Sequence, residues 1–284
     1  MGLTLEVCVE SVAGLAAAVE GGADRVELCS ALGLGGLTPS VGFMALAARC
    51  GVPVLAMIRP RAGDFVWSEA ELEVMEADIA AARDAGLAGV VLGASLPDGR
   101  LDRAALARLV RAAEAGGHRF LQRNRTGAFE GSDPEFSKIP VAMDLTLHRC
   151  LDLVPDMGAA LDEAMALGFR RVLTSGGAVT ALAGAARIEA LVRQAAGRIA
   201  VMAGAGVTAE TAPGLLATGV QELHGSCSES VVVRGRITEL GFAPADGRRT
   251  SAARVRALKR TGPRADLAGA VSYTHLTLPT SDLV

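Results

Sequence analysis

The chain has 284 residues, half of them hydrophobic and chiefly Ala, Val and Leu, with only 3% aromatic and 21% charged. That composition describes a globular chain with a large core of small aliphatic side chains, and the length suits either two small domains or one α/β barrel. The formal net charge of −3 supplies no global positive field, which argues against nucleic acid or an anionic membrane as partner, and no run approaches the ~18 apolar residues that span a bilayer.

Met1–Cys8 lacks a basic segment followed by an apolar stretch, so a cytoplasmic location is expected. The five cysteines, Cys8, Cys29, Cys50, Cys150 and Cys227, are odd in number and form no CxxC pair. They read as reduced thiols rather than a disulfide framework.

Along the chain, short β-rich apolar runs alternate with segments of helical period. The first strand is predicted at Leu3–Val9 and is followed by a helix at Ser11–Glu20. Then come strand Arg25–Cys29 with helix Ser40–Cys50, strand Pro53–Ile58 with helix Ser68–Ala85, and strand Gly89–Gly93 with helix Asp102–Ala115. The second half predicts strand Met143–His148 with helix Asp156–Leu167 and strand Arg171–Thr174 with helix Thr180–Ala196. It ends with strand Ile199–Ala203 and helix Thr208–Thr218, then strand Glu222–His224 and helix Ser251–Arg260. Asp102 and Thr208 are N-cap residue types, while Gly21, Gly86, Gly168 and Gly219 follow the last helical turns.

Strict alternation implies a parallel sheet with crossover helices, and eight units favour closure into a single-domain (β/α)8 TIM-type barrel over residues 1–262. An open doubly wound sheet would show a GxGxxG first loop, whereas the first turn here is Val9-Glu10-Ser11. Two stretches break the rhythm. Gly116–Pro140 is polar and Arg-rich and reads as an insertion before the fifth strand, on the face opposite an active site. Residues 263–284 read as an irregular, disordered or extraneous tail.

Side chains alternate along a strand, so Glu6 and Cys8 share one face, as do Arg25, Glu27 and Cys29. Charged and polar residues gather at the predicted C-terminal strand ends: Arg59 and Arg61, His148 and Arg149, Ser175, Gly204 and Gly206, His224, Gly225 and Ser226. A buried ion pair, for instance Glu27 with Arg59, is the structural alternative for any one of them. Buried charge is costly unless paired or used, so convergence of the whole set favours a site. Glu27, Arg59, His148, Arg149 and His224 are the candidates for acid/base chemistry. Arg61, Ser175, Gly204, Gly206, Gly225 and Ser226 are candidates for holding an anion.

In these blocks the sequence resembles the CutC copper homeostasis family: LEVCVES (Leu5–Ser11), GGADRVELCS (Gly21–Ser30), GGLTPS (Gly35–Ser40), MIRPRAGDF (Met57–Phe65), RVLTSG (Arg171–Gly176), MAGAGV (Met202–Val207) and ELHGS (Glu222–Ser226). The resemblance implies a (β/α)8 barrel and a role in copper homeostasis. Where the family usually reads His-Arg-Ala-Phe-Asp, this chain has His148-Arg149-Cys150-Leu151-Asp152, and loss of the aromatic at Leu151 is expected to reshape one wall of the pocket.

Two functions follow from this reading. The first is copper binding, with Cys8 and Cys29 as ligands: neighbouring strands lie about 4.8 Å apart and two thiolates select Cu(I). Buried cysteines acting as small hydrophobes fit those two positions equally well. The second is an enzyme acting on a small phosphorylated or carboxylated metabolite by acid/base chemistry. Neither lysine, Lys138 or Lys259, falls at a strand end, which disfavours a Schiff-base aldolase, and no HxH pair marks the first strand as in zinc hydrolases. The partner is thus a copper ion or a small molecule, no organic cofactor is indicated, and an assembly of identical chains stays open.

Overall fold

In a computed structural model of the chain, residues 2–115 and 143–262 are described. Eight strands, β1 (Thr4–Val9), β2 (Arg25–Leu28), β3 (Val54–Met57), β4 (Gly89–Leu92), β5 (Asp144–Leu147), β6 (Arg171–Thr174), β7 (Ala200–Gly204) and β8 (Glu222–Gly225), form a closed barrel in chain order. All pair in parallel, and β8 returns to β1 with Glu6 opposite His224. This is the (β/α)8 barrel expected from the alternation.

The crossover helices are α1 (Val12–Gly21), α2 (Val41–Ala47), α3 (Glu69–Asp84), α4 (Arg103–Glu114), α5 (Met157–Ala166), α6 (Ala185–Ala195) and α7 (Ala212–Leu216). The starts of α1 to α5 follow side-chain capping. Ser11, Ser40, Asp102 and Asp156 each accept a backbone N–H of the first turn, and Ser68 with Glu71 forms a full capping box on α3.

Several boundaries differ from expectation. The left-handed cap of α1 is Gly22, at φ +90°, not Gly21. Gly21 is the last helical residue, and a Cβ there would lie 2.4 Å from that of Val255. Helix α6 begins at Ala185 instead of Thr180, because the Ala181 N–H donates to Ala205 O and Gly184 abuts the Ser175 carbonyl, which bends the chain first. Helix α7 is likewise delayed to Ala212: Thr208 and Thr211 exchange hydroxyl–amide bonds in a turn before it.

Between β8 and the last helix lies an antiparallel hairpin absent from the sequence reading, β9 (Ser228–Val232) and β10 (Asp246–Thr250), with a short α8 (Arg236–Glu239) at its tip. The final helix α9 (Ala252–Lys259) then packs on α1, where Val255 is fully buried. The insertion and tail, placed by sequence at 116–140 and 263–284, lie outside the described residues. No helix among the described residues is long and apolar enough to cross a membrane.

Alternation divides each strand. Leu5, Val7 and Val9 point outward into the shell between sheet and helices, with Val26, Leu28, Val90, Leu92, Val172 and Leu223. A separate small cluster, Cys29, Leu55, Met57 and Val91, fills part of the barrel interior. The interior floor is ionic. Arg25, Asp144, Arg171 and Glu222 are the first residues of their strands. Arg25 bonds Glu6 and reaches Glu222 at 2.5 Å; Arg171 bonds Glu222 at 3.1 Å and Asp144 at 2.7 Å. This network shuts the N-terminal end and leaves the open end to the strand C-termini.

Candidate functional site at the C-terminal mouth of the barrel

A cavity of about 610 Å³ occupies that open end. Of the residues predicted from sequence, Cys8, Glu27, Arg59, His148, Arg149, His224, Gly206, Gly225 and Ser226 line it, whereas Cys29, Arg61, Ser175 and Gly204 do not. Arg248 from β10 and Arg254 from α9 also line it. Sequence reasoning missed both, since they come from the hairpin and the helix behind it, far along the chain from the strand ends.

At the base, β1, β2 and β8 bring three donors together. The Cys8 Sγ, a Glu27 carboxylate oxygen and a His224 ring nitrogen all lie within 4.8 Å of one another. The parallel register explains the meeting: Cys8 pairs with Glu27 across β1–β2, and His224 pairs with Glu6 across β8–β1. His224 Nδ1 lies 2.8 Å from Glu6 Oε1, and Nε2 lies 3.6 Å from Glu27 Oε2.

Burial pushes the Glu6 carboxyl up, but the charges of Arg25 and His224 and their hydrogen bonds outweigh it and hold the group at about 2. Glu6 is therefore the ionised acceptor of the Nδ1–H, which in the neutral ring directs the Nε2 lone pair to the Glu27 side. Burial disfavours charge on His224, yet the surrounding Glu27, Cys8 and Glu6 push its pKa well above the ordinary value. Burial also raises Glu27, against the pull of His224. Glu27 Oε1 is buried with no hydrogen-bond partner.

Cys29 stands behind this group. It is fully buried among Leu55, Met57 and Val91 and donates to Glu27 at 3.5 Å. Burial, then the Glu27 charge, push its thiol well up. The three donors that meet at the cavity base are Cys8, Glu27 and His224, with Cys29 adjoining them through its bond to Glu27 and within electrostatic reach of Cys8.

One wall of the cavity carries Arg59, Phe65 and His148. Arg59 makes no ion pair with Glu27: its Nη1 donates to Leu34 O at 2.9 Å and Gly36 O at 3.1 Å, and its Nη2 to Gly63 O at 2.9 Å. The guanidinium sits 5.0 Å from the Phe65 ring centre, and the His148 ring lies 4.5 Å from the same ring. His148 Nδ1 accepts the Cys150 N–H at 3.1 Å, which leaves the proton of the neutral ring on Nε2. Burial and the Arg59 charge lower His148 to about 3. Gly93 makes room for this arrangement, since a Cβ there would lie 2.3 Å from His148 Cε1.

The remaining predicted residues have other engagements. Arg149 bonds Asp152 at 2.7 Å and Ser175 Oγ at 2.8 Å, and Asp152 also takes the Ser175 and Gly177 N–H groups, so Ser175 belongs to a knot that ties the loop after β6. Arg61 is held by Glu71 at 2.5 Å and Asp64 at 2.9 Å and stacks on Trp67, away from the cavity. Gly204 packs against Leu173 and His224. Leu151 is fully buried in the outer shell and is not among the residues that line the cavity.

Comparison with known proteins agrees with this architecture. The model of the CutC family matches residues 3–124 and 135–229. A family protein CutC of Rhizobium meliloti is 51% identical over 259 residues, 90% of this chain and 95% of the relative, and one of Sinorhizobium medicae is 52% identical over the same length and coverage. The crystal structure of a CutC from Streptococcus agalactiae, a candidate copper homeostasis protein, superposes with a TM-score of 0.67 at 31% identity, covering 79% of this chain and 98% of that one.

Proposed function

The chain belongs to the CutC family, and from that premise we propose that it serves copper homeostasis by binding Cu(I) at the barrel mouth through the Cys8 sulfur and His224 Nε2, with Glu27 beside them. The observation that carries this reading is the convergence of three donor atoms within 4.8 Å at the base of an open cavity. The donor set fits. Sulfur and imidazole are ligands that Cu(I) accepts, and Glu27 Oε1 is an orphaned buried acceptor of the kind a cation satisfies.

The surrounding residues support the same role. Glu6 fixes the tautomer and aim of His224, as carboxylates do behind metal-bound histidines. Binding through the thiolate and Nε2 releases the protons that Cys8 and the charged His224 ring carry, and Glu27, with Oε2 3.6 Å from Nε2, stands where it can take up one of them while the other leaves to solvent through the open cavity. Cys29, bonded to Glu27, orients that carboxylate and is not a ligand itself. The bound ion supplies the chemistry of copper capture and release; the chain supplies the ligands, their orientation and a cavity that admits them.

Anaerobic competition between the protein and a chromophoric Cu(I) chelator tests the proposal. Cys8→Ser and His224→Gln are each expected to weaken Cu(I) binding by at least about tenfold, with Cys29→Ser within a few-fold of the parent. Unchanged affinity in Cys8→Ser, or a loss confined to Cys29→Ser, would overturn it.

A further inference from the structure

The copper site uses the base of the cavity and leaves idle two arginines that line it, Arg248 from β10 and Arg254 from α9. Both converge on Ser228. Arg248 donates from Nε to the Ser228 hydroxyl at 2.9 Å and from Nη2 to its carbonyl oxygen at 3.4 Å, and Arg254 Nη1 donates to the same carbonyl at 2.8 Å. Two guanidinium groups therefore lie side by side on one acceptor. Arg248 Nη1 and Arg254 Nε and Nη2 have no acceptor among the described residues. Both residues are exposed as well as lining the cavity, so a ligand there can reach them.

Neither arginine forms an ion pair among the described residues, although neighbours on the same elements do: Arg249 bonds Glu229 at 2.8 Å and Arg256 bonds Glu20 at 3.1 Å. Glu210, an acid that lines the cavity beside them, is bonded to Thr208 and feels Arg254 only through space. Like charges held together on a neutral carbonyl repel, and an anion shared between them turns that repulsion into attraction. A phosphomonoester brings nearly two negative charges and three strong acceptor oxygens, which match two cations and two guanidinium forks, whereas one fork already fills a carboxylate. Ser226, whose hydroxyl lies 2.9 Å from that of Ser228, adds a hydroxyl at the same place. Gly206, Gly225 and Ser226, read from the sequence as candidates for holding an anion, line this cavity too. Cys227 is within electrostatic reach of Cys8, His224 and Arg254 together, so the arginine pair adjoins the cavity base.

We propose that Arg248 and Arg254 form a phosphoryl-binding site, which seats a small phosphomonoester with its phosphate on the arginine pair and its body in the barrel mouth. The site is separate from the copper ligands and does not depend on their assignment.

Glycerol 3-phosphate is the probe, titrated calorimetrically without copper into the full chain, against inorganic phosphate and acetate at matched ionic strength. Saturable binding of the ester is expected, with inorganic phosphate no tighter than the ester and acetate weaker by about tenfold or more. Arg248→Gln and Arg254→Gln should each weaken the ester by at least about tenfold, while Cu(I) affinity in the chelator competition stays within a few-fold of the parent. Because both arginines also brace Ser228, Tm is recorded and Arg254→Lys is the second variant. It keeps the charge but loses the fork, so its affinity should fall between those of the parent and Arg254→Gln. Arg249→Gln, next along β10 but paired with Glu229, is the control and should bind the ester within about twofold of the parent. The proposal is overturned by the absence of saturable binding up to about 10 mM, beyond the range of a millimolar site, or by free phosphate binding where the ester does not. A loss as large in Arg249→Gln as in Arg248→Gln would overturn it too, since the attraction would then belong to the surface at large.

Discussion

Glu6 and His148 are both buried titratable residues, and their neighbours drive them to opposite charge states at neutral pH. Glu6 is charged because Arg25 and His224 surround it; His148 is neutral because burial and Arg59 disfavour a second cation. Glu6 is a positioning residue for His224, so Glu6→Gln is expected to weaken Cu(I) binding by about 10–100-fold while Cys8 remains intact; the chelator competition measures it, with Tm recorded to separate lost aim from lost folding. For His148, the folded-state value of about 3 lies below the ordinary 6.5. As pH falls, the unfolded chain takes the proton first, so the contribution is full above 6.5 and is lost between about 6.5 and 3, at up to about 1.4 kcal/mol per pH unit. Urea unfolding at pH 7.5 and pH 5 should therefore show a larger loss in the parent than in His148→Phe.

At the scale of elements, helix starts are set by local side chains and strand ends by close approaches. Helix α3 carries the full Ser68–Glu71 box, and Ser68→Ala is expected to cost about 1 kcal/mol in chemical denaturation, with the copper site unaffected. The turn after β4 is of the other kind. Alanine at Gly93 would place its Cβ 2.3 Å from His148 Cε1 and 2.5 Å from Cys150 Sγ, so Gly93→Ala should cost about 1–3 kcal/mol and shift the ¹⁵N resonances of His148. The hairpin of β9 and β10 obeys neither pattern. Its strands are largely exposed and carry charges such as Glu229, Arg248 and Arg249, so no apolar alternation announced it in the sequence.

For the molecule as a whole, the ionic floor links five of the eight strands. Glu222 Oε2 accepts from both Arg25 and Arg171, and Arg171 continues to Asp144. Removing one cation strands buried carboxylates, and Arg25→Met is expected to destabilise the fold by about 3–5 kcal/mol. Replacing the charges together should cost less, which a double-mutant cycle of Arg25→Met with Glu222→Gln would measure as coupling. The closure of β8 on β1 matters equally, since it brings His224 to Glu6 across 218 positions of sequence.

The order of the elements and the closed barrel were legible in the chain because they rest on local physics: apolar alternation in strands, helical period, and Ser or Asp caps. The C-terminal strand ends followed from the fold, so Glu27, Arg59, His148 and His224 were found as lining residues from residue type and position alone. What the sequence could not state was which neighbour each inward side chain meets. Cys8 and Cys29 stand on adjacent strands, as expected, but only strand register and barrel closure bring Glu27 and His224 to Cys8, while Cys29 packs among Leu55, Met57 and Val91 and bonds Glu27. Arg61 and Ser175 carried the right chemistry at the right strand ends, yet Glu71, Asp64 and Asp152 had claimed them. Local pattern determines which face a side chain takes; the partners on that face depend on contacts between residues far apart in the chain, and only the folded barrel decides those.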